Sequence, residues 1–451
     1  MKIIIAGVGK TGYTVASQLA LEGHAITVIE EDGEALNEIV ENVDVVAYHG
    51  NCVNRNVLDD AGVGESDLFI ALTGDDELNL FSCLIAKKLG AKNTVARVRQ
   101  PEYSGVIPLI AEDIGLSIAV NPERETAAEI ARILEFPLAN KVEFFARGKV
   151  EMIDYAVTAK GPLCGKTVKD VFANTREALV CAVNREGEVL IPFGDFTFAE
   201  GDIMTIIAPR GNLGAFFKAS GVAGHSIKRV IISGGGRTSF YLAGELISHR
   251  VRVAVIERDA QAARALHEVL PEVEVTVGDG TAQKLLVENG IESADAFCCL
   301  TGIDEENILS SLYARHVNPE IKTVTKLNRV EFVPIVKPLG VGSVVSPKLI
   351  ASDRIVSYVR AKQNGVGSGV LTLYRIVDNK AEAIEFEASA GSALIGVPIH
   401  LLKLKENVII ACINRGGKII SPRGDDTVEA GDTVIVVTTH TGFDVLDDVL
   451  R

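Results

Sequence analysis

The chain has 451 residues, of which 47% are hydrophobic and 23% are charged, a balance typical of a globular protein with about three domains. Its formal net charge of −15 disfavours non-specific binding to nucleic acid or to an anionic membrane surface. No apolar run reaches the roughly 18–20 residues that cross a bilayer, and the seven cysteines, which lack C-x-x-C spacing, fit reduced thiols. We therefore expect a cytoplasmic protein that binds no nucleic acid and does not insert into a membrane.

Residues 1–122 alternate short apolar strands with helical patterns, which is typical of βαβ units and a parallel sheet. The pattern predicts a doubly wound, Rossmann-like module. Strands are expected near 2–6, 25–29, 44–47, 68–72, 94–98 and 117–120, and helices over 11–22, 32–40, 53–60, 77–89 and 102–113.

The first strand runs directly into the glycine-rich turn of IIIAGVGKTG (3–12). In such a turn Gly7 permits the tight bend, Gly9 lets the backbone approach a pyrophosphate, and Gly12 allows close packing of helix on strand. Glu30 follows 21 residues after Gly9, where a carboxylate accepts hydrogen bonds from both ribose hydroxyls. Because it would repel a 2′-phosphate, it favours NAD(H) or an adenine nucleotide over NADP(H).

Other candidates lie at the carboxyl ends of later strands. Thr73 ends the fourth strand, and either Asp75 or Asp76 is expected to cap the next helix, with Asn79 as a further candidate contact. Arg97 and Arg99 alternate on the fifth strand, so we expect one to approach phosphate and the other to form a salt bridge.

A linking helix is predicted over 123–140, followed by a small, mostly β subdomain over 141–221 that contains an E-x-G-D type turn. Both parts recur later, as a linking helix over 348–365 and a subdomain over 366–451. LVCAVNREGEVLIPFGDFTFAEGDIMTIIAP (179–209) resembles VIIACINRGGKIISPRGDDTVEAGDTVIVVT (408–438).

The first module recurs over 228–347 with an offset near 227 residues. IISGGGRTS (231–239) repeats the glycine turn, although Ser239 stands in place of the third glycine, and Glu257 repeats Glu30. VNP (120–122) pairs with VSP (345–347), and Lys326 takes the place of Arg97. The fold class is therefore α/β, with two doubly wound parallel-sheet Rossmann-like modules, each followed by a small α+β subdomain.

Ligand sensing is favoured over catalysis. Residues 141–220 contain no histidine to act as acid or base beside a nicotinamide, and the sequence shows no zinc spacing, nucleophile elbow or Walker motif. We expect no catalytic residue and no metal site. Three alternatives stay open: an NAD-dependent oxidoreductase, a redox-sensing transcription factor, and a scaffold whose sites are dead.

The ordered series IIIAGVGKTG, VIEED, HGN, TGDDELN, ARVRQPEY and VNPE resembles the domain that regulates conductance of potassium (RCK, or KTN), and EGDIMTIIAP resembles the C-terminal subdomain of that family. Two such pairs in tandem resemble the cytosolic regulatory subunits of Trk potassium-uptake systems. The resemblance implies a homotetrameric ring at the inner face of the cell membrane, bound to a Trk-type potassium channel or transporter subunit (TrkH/TrkG-like), with NAD(H) and ATP/ADP as ligands.

The resemblance also implies two ligand sites. The first comprises Gly7, Val8, Gly9, Lys10, Thr11, Gly12, Glu30, Asn51, Cys52, Thr73 and Arg97. The second comprises Gly234, Gly236, Arg237, Glu257, Asp279, Gly280 and Thr301. Ser239 and Ile303 depart from the pattern of the first copy, so either a live or a lost second site is compatible with the sequence.

Overall fold

The computed structural model describes residues 1–135, 139–145, 149–173, 177–222, 227–364, 370–377 and 380–451. These form two compact units. The first unit joins Met1–Leu134 to Ile227–Val356, and the second joins Glu135–Ser226 to Ser357–Arg451. The two Rossmann-like modules therefore associate with each other, as do the two small subdomains.

The first module is a six-stranded parallel sheet, as predicted, and its strands lie in the order β3-β2-β1-β4-β5-β6. Its strands are β1 (Lys2–Ala6), β2 (Ala25–Glu30), β3 (Val46–His49), β4 (Leu68–Ala71), β5 (Asn93–Arg97) and β6 (Ile118–Val120). Its helices are α1 (Lys10–Leu21), α2 (Gly33–Asn42), α3 (Arg55–Asp60), α4 (Asp76–Leu89), α5 (Ile107–Ile110) and α6 (Pro122–Glu135). The order reverses between β1 and β4, and such a switch point opens a crevice at the carboxyl ends of the strands.

Two predicted helices differ from the structure. The helix expected over 102–113 is a 3₁₀ turn at Pro101–Tyr103 followed by the short α5, because Pro108 is tolerated only in the first turn of a helix. The linking helix expected over 123–140 ends at Glu135, and a strand begins at Ala139. Residues 136–138 of that prediction lie outside the described residues.

The first subdomain is an antiparallel sheet with order β10-β9-β11-β8-β7. Its elements are β7 (Ala139–Phe145), β8 (Val150–Ala156), α7 (Val168–Phe172), β9 (Leu179–Arg185), β10 (Glu188–Leu190), β11 (Ile203–Pro209) and α8 (Leu213–Ala219). Phe198 and Phe216 are fully buried in its core.

The second module repeats the first, with order β14-β13-β12-β15-β16-β17 and all pairs parallel. Its strands are β12 (Arg229–Ser233), β13 (Arg252–Glu257), β14 (Glu274–Val277), β15 (Ala296–Cys299), β16 (Lys322–Lys326) and β17 (Ser343–Val345). Its helices are α9 (Arg237–Ser248), α10 (Ala260–Val269), α11 (Gln283–Glu288), α12 (Asp304–Val317), α13 (Val333–Val336) and α14 (Pro347–Asn364).

The linking helix of the first module packs on the sheet of the second. Ala127, Ile130 and Ile133 of α6 are buried in one cluster with Val230 and Ile232 of β12. Burying such an apolar stripe is the main force that holds an amphipathic helix in place. The packing explains why the two modules form one unit.

The second subdomain repeats the antiparallel sheet, with order β18-β19-β22-β20-β21. Its strands are β18 (Val370–Ile376), β19 (Ala381–Glu387), β20 (Val408–Arg415), β21 (Lys418–Ile420) and β22 (Thr433–Thr438). Phe145 and Met152 of the first subdomain share a buried cluster with Ile376 and Ile435 of the second.

The repeated Gly-Asp turn, AEGD (199–202) in the first subdomain and EAGD (429–432) in the second, has a structural role. Asp202, whose side chain is fully buried, receives hydrogen bonds from Arg185 Nε and Nη2, both at 2.7 Å, and from the Ala199 backbone N–H at 2.8 Å. Asp432 and Arg415 form the same pair in the second subdomain. Gly201, with φ at +86°, takes the left-handed conformation that the turn requires.

Candidate functional site

The glycine turn between β1 and α1 has the geometry that its spacing predicts. Gly7 has φ at +90°, and a Cβ there would lie 2.8 Å from the Thr73 backbone nitrogen. A Cβ on Gly12 would lie 2.0 Å from the Gly7 carbonyl oxygen, so the close packing of helix on strand is confirmed. A Cβ on Gly9 would meet nothing within 4 Å. Gly9 therefore faces open space at the start of α1, where free N–H groups favour an anion.

A cavity of about 490 Å³ lies against this turn, a size within the roughly 300–1,000 Å³ of small-molecule sites. Nine of the eleven predicted residues of the first site line it: Gly7, Gly9, Lys10, Thr11, Glu30, Asn51, Cys52, Thr73 and Arg97. Val8 and Gly12 do not, because the Val8 side chain is buried in the core and Gly12 packs against Gly7. Contact of a ligand with the nine stays a prediction.

Glu30 is fixed at the end of β2 by backbone donors. Its Oε2 accepts the Val8 N–H at 2.7 Å, and its Oε1 accepts the N–H groups of Glu31 at 2.8 Å and Asp32 at 3.0 Å. A carboxylate oxygen has further lone pairs, so these bonds leave capacity for ribose hydroxyls. Glu30 therefore holds the glycine turn as well as lining the cavity.

Asn79 orders the far side of the cavity without entering it. Its fully buried amide accepts from the Thr73 N–H at 2.9 Å and hydroxyl at 2.8 Å, and donates to the Arg97 carbonyl at 3.0 Å. Arg97 in turn donates from Nη2 to the Thr73 carbonyl. Asn79, which the sequence offered as a ligand contact, thus joins the ends of β4 and β5.

The two acidic residues before α4 have different partners. Asp75 is the N-cap and accepts the Leu78 N–H at 2.7 Å. Asp76 is buried and accepts the backbone N–H groups of Arg99 at 2.8 Å and Gln100 at 2.9 Å. The Arg99 side chain pairs with Glu123, so the expected salt bridge belongs to Arg99 and the cavity-lining guanidinium to Arg97.

Burial shifts the pKa values of both Arg97 and Cys52. Burial lowers the pKa of Arg97, and its Nε has no hydrogen-bond partner within the described ranges. Burial raises the pKa of the Cys52 thiol to about 11, with the carboxylates of Glu31 and Glu30 adding to the shift. Cys52 is therefore a protonated thiol at neutral pH, and it lacks the thiolate character of a nucleophile.

The second module reproduces most of this arrangement. Glu257 accepts the backbone N–H groups of Gly235 and of Asp259, the latter at 2.8 Å. Thr301 is held by the fully buried Asn307, as Thr73 is by Asn79. Lys326 donates to the Leu300 carbonyl at 2.8 Å.

The first glycine of the second turn has slightly more room than its counterpart in the first module. A Cβ on Gly234, with φ at +97°, would lie 3.1 Å from the Thr301 nitrogen, against 2.8 Å at Gly7. Ser239 fits in place of the third glycine, and its hydroxyl donates to the Gly234 carbonyl. Gly236, with nothing within 4 Å of a Cβ, and the exposed Arg237 begin α9.

Three other positions of the second copy also differ. Asp279 accepts from the N–H and hydroxyl of Thr281, at 2.9 and 2.8 Å, which lowers its pKa. A Cβ on Gly280 would lie 2.1 Å from Ser233 Oγ, so this position packs against β12. Ile303 replaces the helix cap Asp75 and gives no side-chain cap.

Sequence reasoning missed some of the charged residues that line the first cavity, among them Glu31 and one residue of the other module, Lys348. Lys348, in the first turn of α14 in the second module, lines the cavity beside the first glycine turn. The pairing of VNPE with VSPK aligns Lys348 with Glu123, but this change of charge does not indicate which cavity the residue lines. Within the described part of the chain, no group of three or more potential metal-ligating side chains is found.

Models of two domain families match the chain. The TrkA-N domain matches residues 3–122 and 230–347, and the TrkA-C domain matches 152–221 and 383–451. This chain belongs to the TrkA family. The duplicated modules are thus TrkA-N domains, and the duplicated subdomains are TrkA-C domains.

Relatives of this TrkA-family chain align over nearly its whole length. A Trk system potassium uptake protein TrkA homolog of Archaeoglobus fulgidus is 31% identical, and the alignment covers 100% of both chains. A Trk system potassium uptake protein TrkA of Halomonas elongata is 31% identical, covering 97% of this chain and 95% of the relative.

Solved structures share the fold. The GsuK channel bound to NAD matches with a TM-score of 0.65 and 20% identity, covering 97% of this TrkA-family chain and 76% of that one. The GsuK RCK domain matches with a TM-score of 0.64 and 20% identity, covering 97% and 92%. Across the described ranges, none of the helices combines the length and hydropathy that crossing a bilayer demands.

Proposed function

We propose that this chain is a nucleotide-sensing regulatory subunit of a Trk-type potassium-uptake system. The single observation that carries the proposal is the first cavity, in which the open glycine turn, the Glu30 carboxylate and the half-buried Arg97 guanidinium converge. Family membership supplies the context, since the relatives are named as Trk system potassium uptake proteins. The chain then acts in the cytoplasm, held at the inner face of the membrane by a TrkH/TrkG-like partner.

The proposed ligands are NAD(H) and the adenine nucleotides ADP and ATP. Gly9 and the start of α1 would bind the pyrophosphate. Glu30 would accept hydrogen bonds from the ribose hydroxyls and would repel a 2′-phosphate. Two structural neighbours support this ligand class, because GsuK has been solved bound to NAD and bound to ADP.

Regulation is proposed to work by linkage. A ligand gripped in one arrangement of the modules favours that arrangement by its differential affinity for it. In a homotetrameric ring, a coupling of roughly 1–3 kcal/mol would change the open fraction of the partner channel several-fold or more. The chain itself transports no potassium in this account.

Calorimetric titration of the full chain with NADH, NAD, ADP, ATP and NADPH tests the proposal. We expect binding of the four nucleotides that lack a 2′-phosphate and weaker binding of NADPH. Absence of binding at millimolar concentration would overturn the sensor function. The same samples, followed at 340 nm with small carbonyl acceptors, test the oxidoreductase alternative, which sustained consumption of NADH would support.

A further inference from the structure

The first cavity receives a cation from the other module of the same unit. Lys348 begins α14 of the second module, yet it lines the cavity formed by the first glycine turn. Its Nζ donates to the Asn328 carbonyl, and its side chain is half-buried. The residues that the structure describes give it no ion pair with a carboxylate within 4.0 Å.

The positive charge of Lys348 is electrostatically unfavourable at this position. A cation in the first turn of a helix is disfavoured by the helix dipole, which attracts anions there. Burial lowers the pKa of Lys348, and the positive charge of Lys10 lowers it further, while Asp304 and Glu331 oppose the shift. Lys348 and Lys10 both line the cavity, so their positive charges repel each other there.

A third cation and three carboxylates complete the charge balance of the cavity. Arg97 lines it with a buried Nε that has no partner among the described residues. Glu30 is engaged by backbone N–H groups and Asp75 by the Leu78 N–H, whereas Glu31 is exposed at the rim. Among the described residues, none of Lys10, Arg97 and Lys348 forms an ion pair with a carboxylate within 4.0 Å, and a bound phosphate chain would supply that ionic partner.

The equivalent position of the first module carries the opposite charge. Glu123, in the first turn of α6, aligns with Lys348 in the repeat. Its Oε1 accepts from Arg99 Nε at 2.8 Å, and its Oε2 is buried with no partner within the described ranges. Its charge acts on Lys326, the counterpart of Arg97, and raises the pKa that burial lowers.

We propose that Lys348 is a phosphate-binding residue of the first site, and that the two sites differ in charge because Glu123 occupies the position of Lys348 in the other repeat. The first site takes nucleotides with a di- or triphosphate chain, which bridges Lys10, Arg97 and Lys348 across the two modules. The second site, where Glu123 stands in place of Lys348, rejects them. This inference rests on the proposed function, because it names the ligand class of the same cavity.

Titration of the full chain with ADP and ATP tests the role of Lys348. Loss of a charged hydrogen bond to phosphate predicts that Lys348→Met weakens both ligands at least about tenfold, whereas Lys348→Arg keeps the affinity within about threefold. Lys284→Met is the matched control, since Lys284 is an exposed lysine of the same module paired with Glu288. We expect it to bind like the unmodified chain.

The melting temperature of each unliganded variant separates a binding effect from a structural one. Lys348→Met that melts like the parent and binds ADP as tightly would overturn the inference, as would Lys348→Arg that fails to restore affinity. If the parent chain itself binds neither nucleotide, the proposed function fails and the inference fails with it. If the parent chain binds ADP and ATP and Lys348→Met binds them with the same affinity, the inference alone fails.

Stoichiometry tests the difference between the two sites. We expect one ADP per unmodified chain and two per Glu123→Gln chain, because glutamine keeps the acceptor for Arg99 and removes the charge beside Lys326. Two ADP per unmodified chain, or one per Glu123→Gln chain, would overturn the proposed asymmetry.

Discussion

Two alanine substitutions three residues apart separate the binding role of the glycine turn from its structural role. Gly9 has φ at −55°, which any residue adopts, and a Cβ there meets nothing within 4 Å. A Cβ on Gly12 would lie 2.0 Å from the Gly7 oxygen, whereas real contacts of a Cβ are essentially never closer than 3.0 Å. Gly12→Ala must therefore push α1 away from β1, and Gly9→Ala need move nothing.

The expected magnitudes differ accordingly. Forcing a methyl group into a closely packed backbone contact costs about 1–3 kcal/mol or more of unfolding free energy. For Gly9→Ala, the reduced entropy of the unfolded chain stabilises by about 0.4–1 kcal/mol and offsets the poorer capping by alanine, so the net change lies within about 0.5 kcal/mol. The new methyl group instead occupies the space where a pyrophosphate would approach, and we expect at least about a tenfold loss of nucleotide affinity.

Urea denaturation and calorimetry with ADP and NADH, run on both variants, measure the two effects. We expect Gly9→Ala to keep the parent's denaturation midpoint and lose affinity, and Gly12→Ala to lose stability. Undiminished binding by Gly9→Ala would refute the placement of a ligand against Gly9. A fully stable Gly12→Ala would refute the packing argument.

Two further predictions concern fixed carboxylates. Glu30→Ala leaves the Val8 N–H without its acceptor and should lower the free energy of unfolding by about 1–3 kcal/mol, as measured by urea denaturation. The control Glu31→Ala, at an exposed neighbouring residue, should lower it little. Equal losses of stability in the two variants would contradict the role of Glu30 in the turn. Arg185→Met should destabilise by about 1–3 kcal/mol at pH 7, because Asp202 is buried, whereas Lys169→Met, which breaks an exposed pair, should not. Burial opposes ionisation of Asp202, but the hydrogen bonds from Arg185 and Ala199 outweigh burial and lower the pKa of its carboxyl group. The ionised carboxylate therefore stabilises the fold at pH values above the ordinary pKa of about 3.9. This stabilisation is lost as the pH falls through the lower pKa of the folded state. The stability gap between Arg185→Met and the parent should therefore narrow below about pH 4, and a gap that widens in acid would contradict this assignment.

The architecture of the chain was predictable because its signals are local and occur twice. Strand runs such as KIIIA, turn glycines and the repeated Gly-Asp turn each specify their own few residues, and the order of the series specifies the parallel sheet. Helix ends were less predictable. The sequence pattern continues past Glu135, whereas the structure changes there from helix to strand.

The site was predictable where its residues belong to one module. The turn glycines, Glu30 and Arg97 all follow strands of a single sheet, so topology alone brings them to one edge. Lys348 was not predictable because it reaches the cavity from the other module, through packing between repeats that are more than two hundred residues apart. Asn79 does not line the cavity, because its buried amide is used by Thr73 and Arg97, and no local signal in the sequence separates that role from a ligand contact.

Potassium flux measured against nucleotide concentration tests the central claim most directly. A Trk-type membrane subunit would be reconstituted in vesicles with the full chain, with Gly9→Ala, or alone, and potassium uptake would be followed as ADP, ATP, NAD or NADH is added. With the unmodified chain, at least one of these nucleotides is predicted to change the flux several-fold. With Gly9→Ala, the same change in flux is predicted to need a higher nucleotide concentration. A flux that depends on the chain but stays constant at every nucleotide concentration would contradict the central claim.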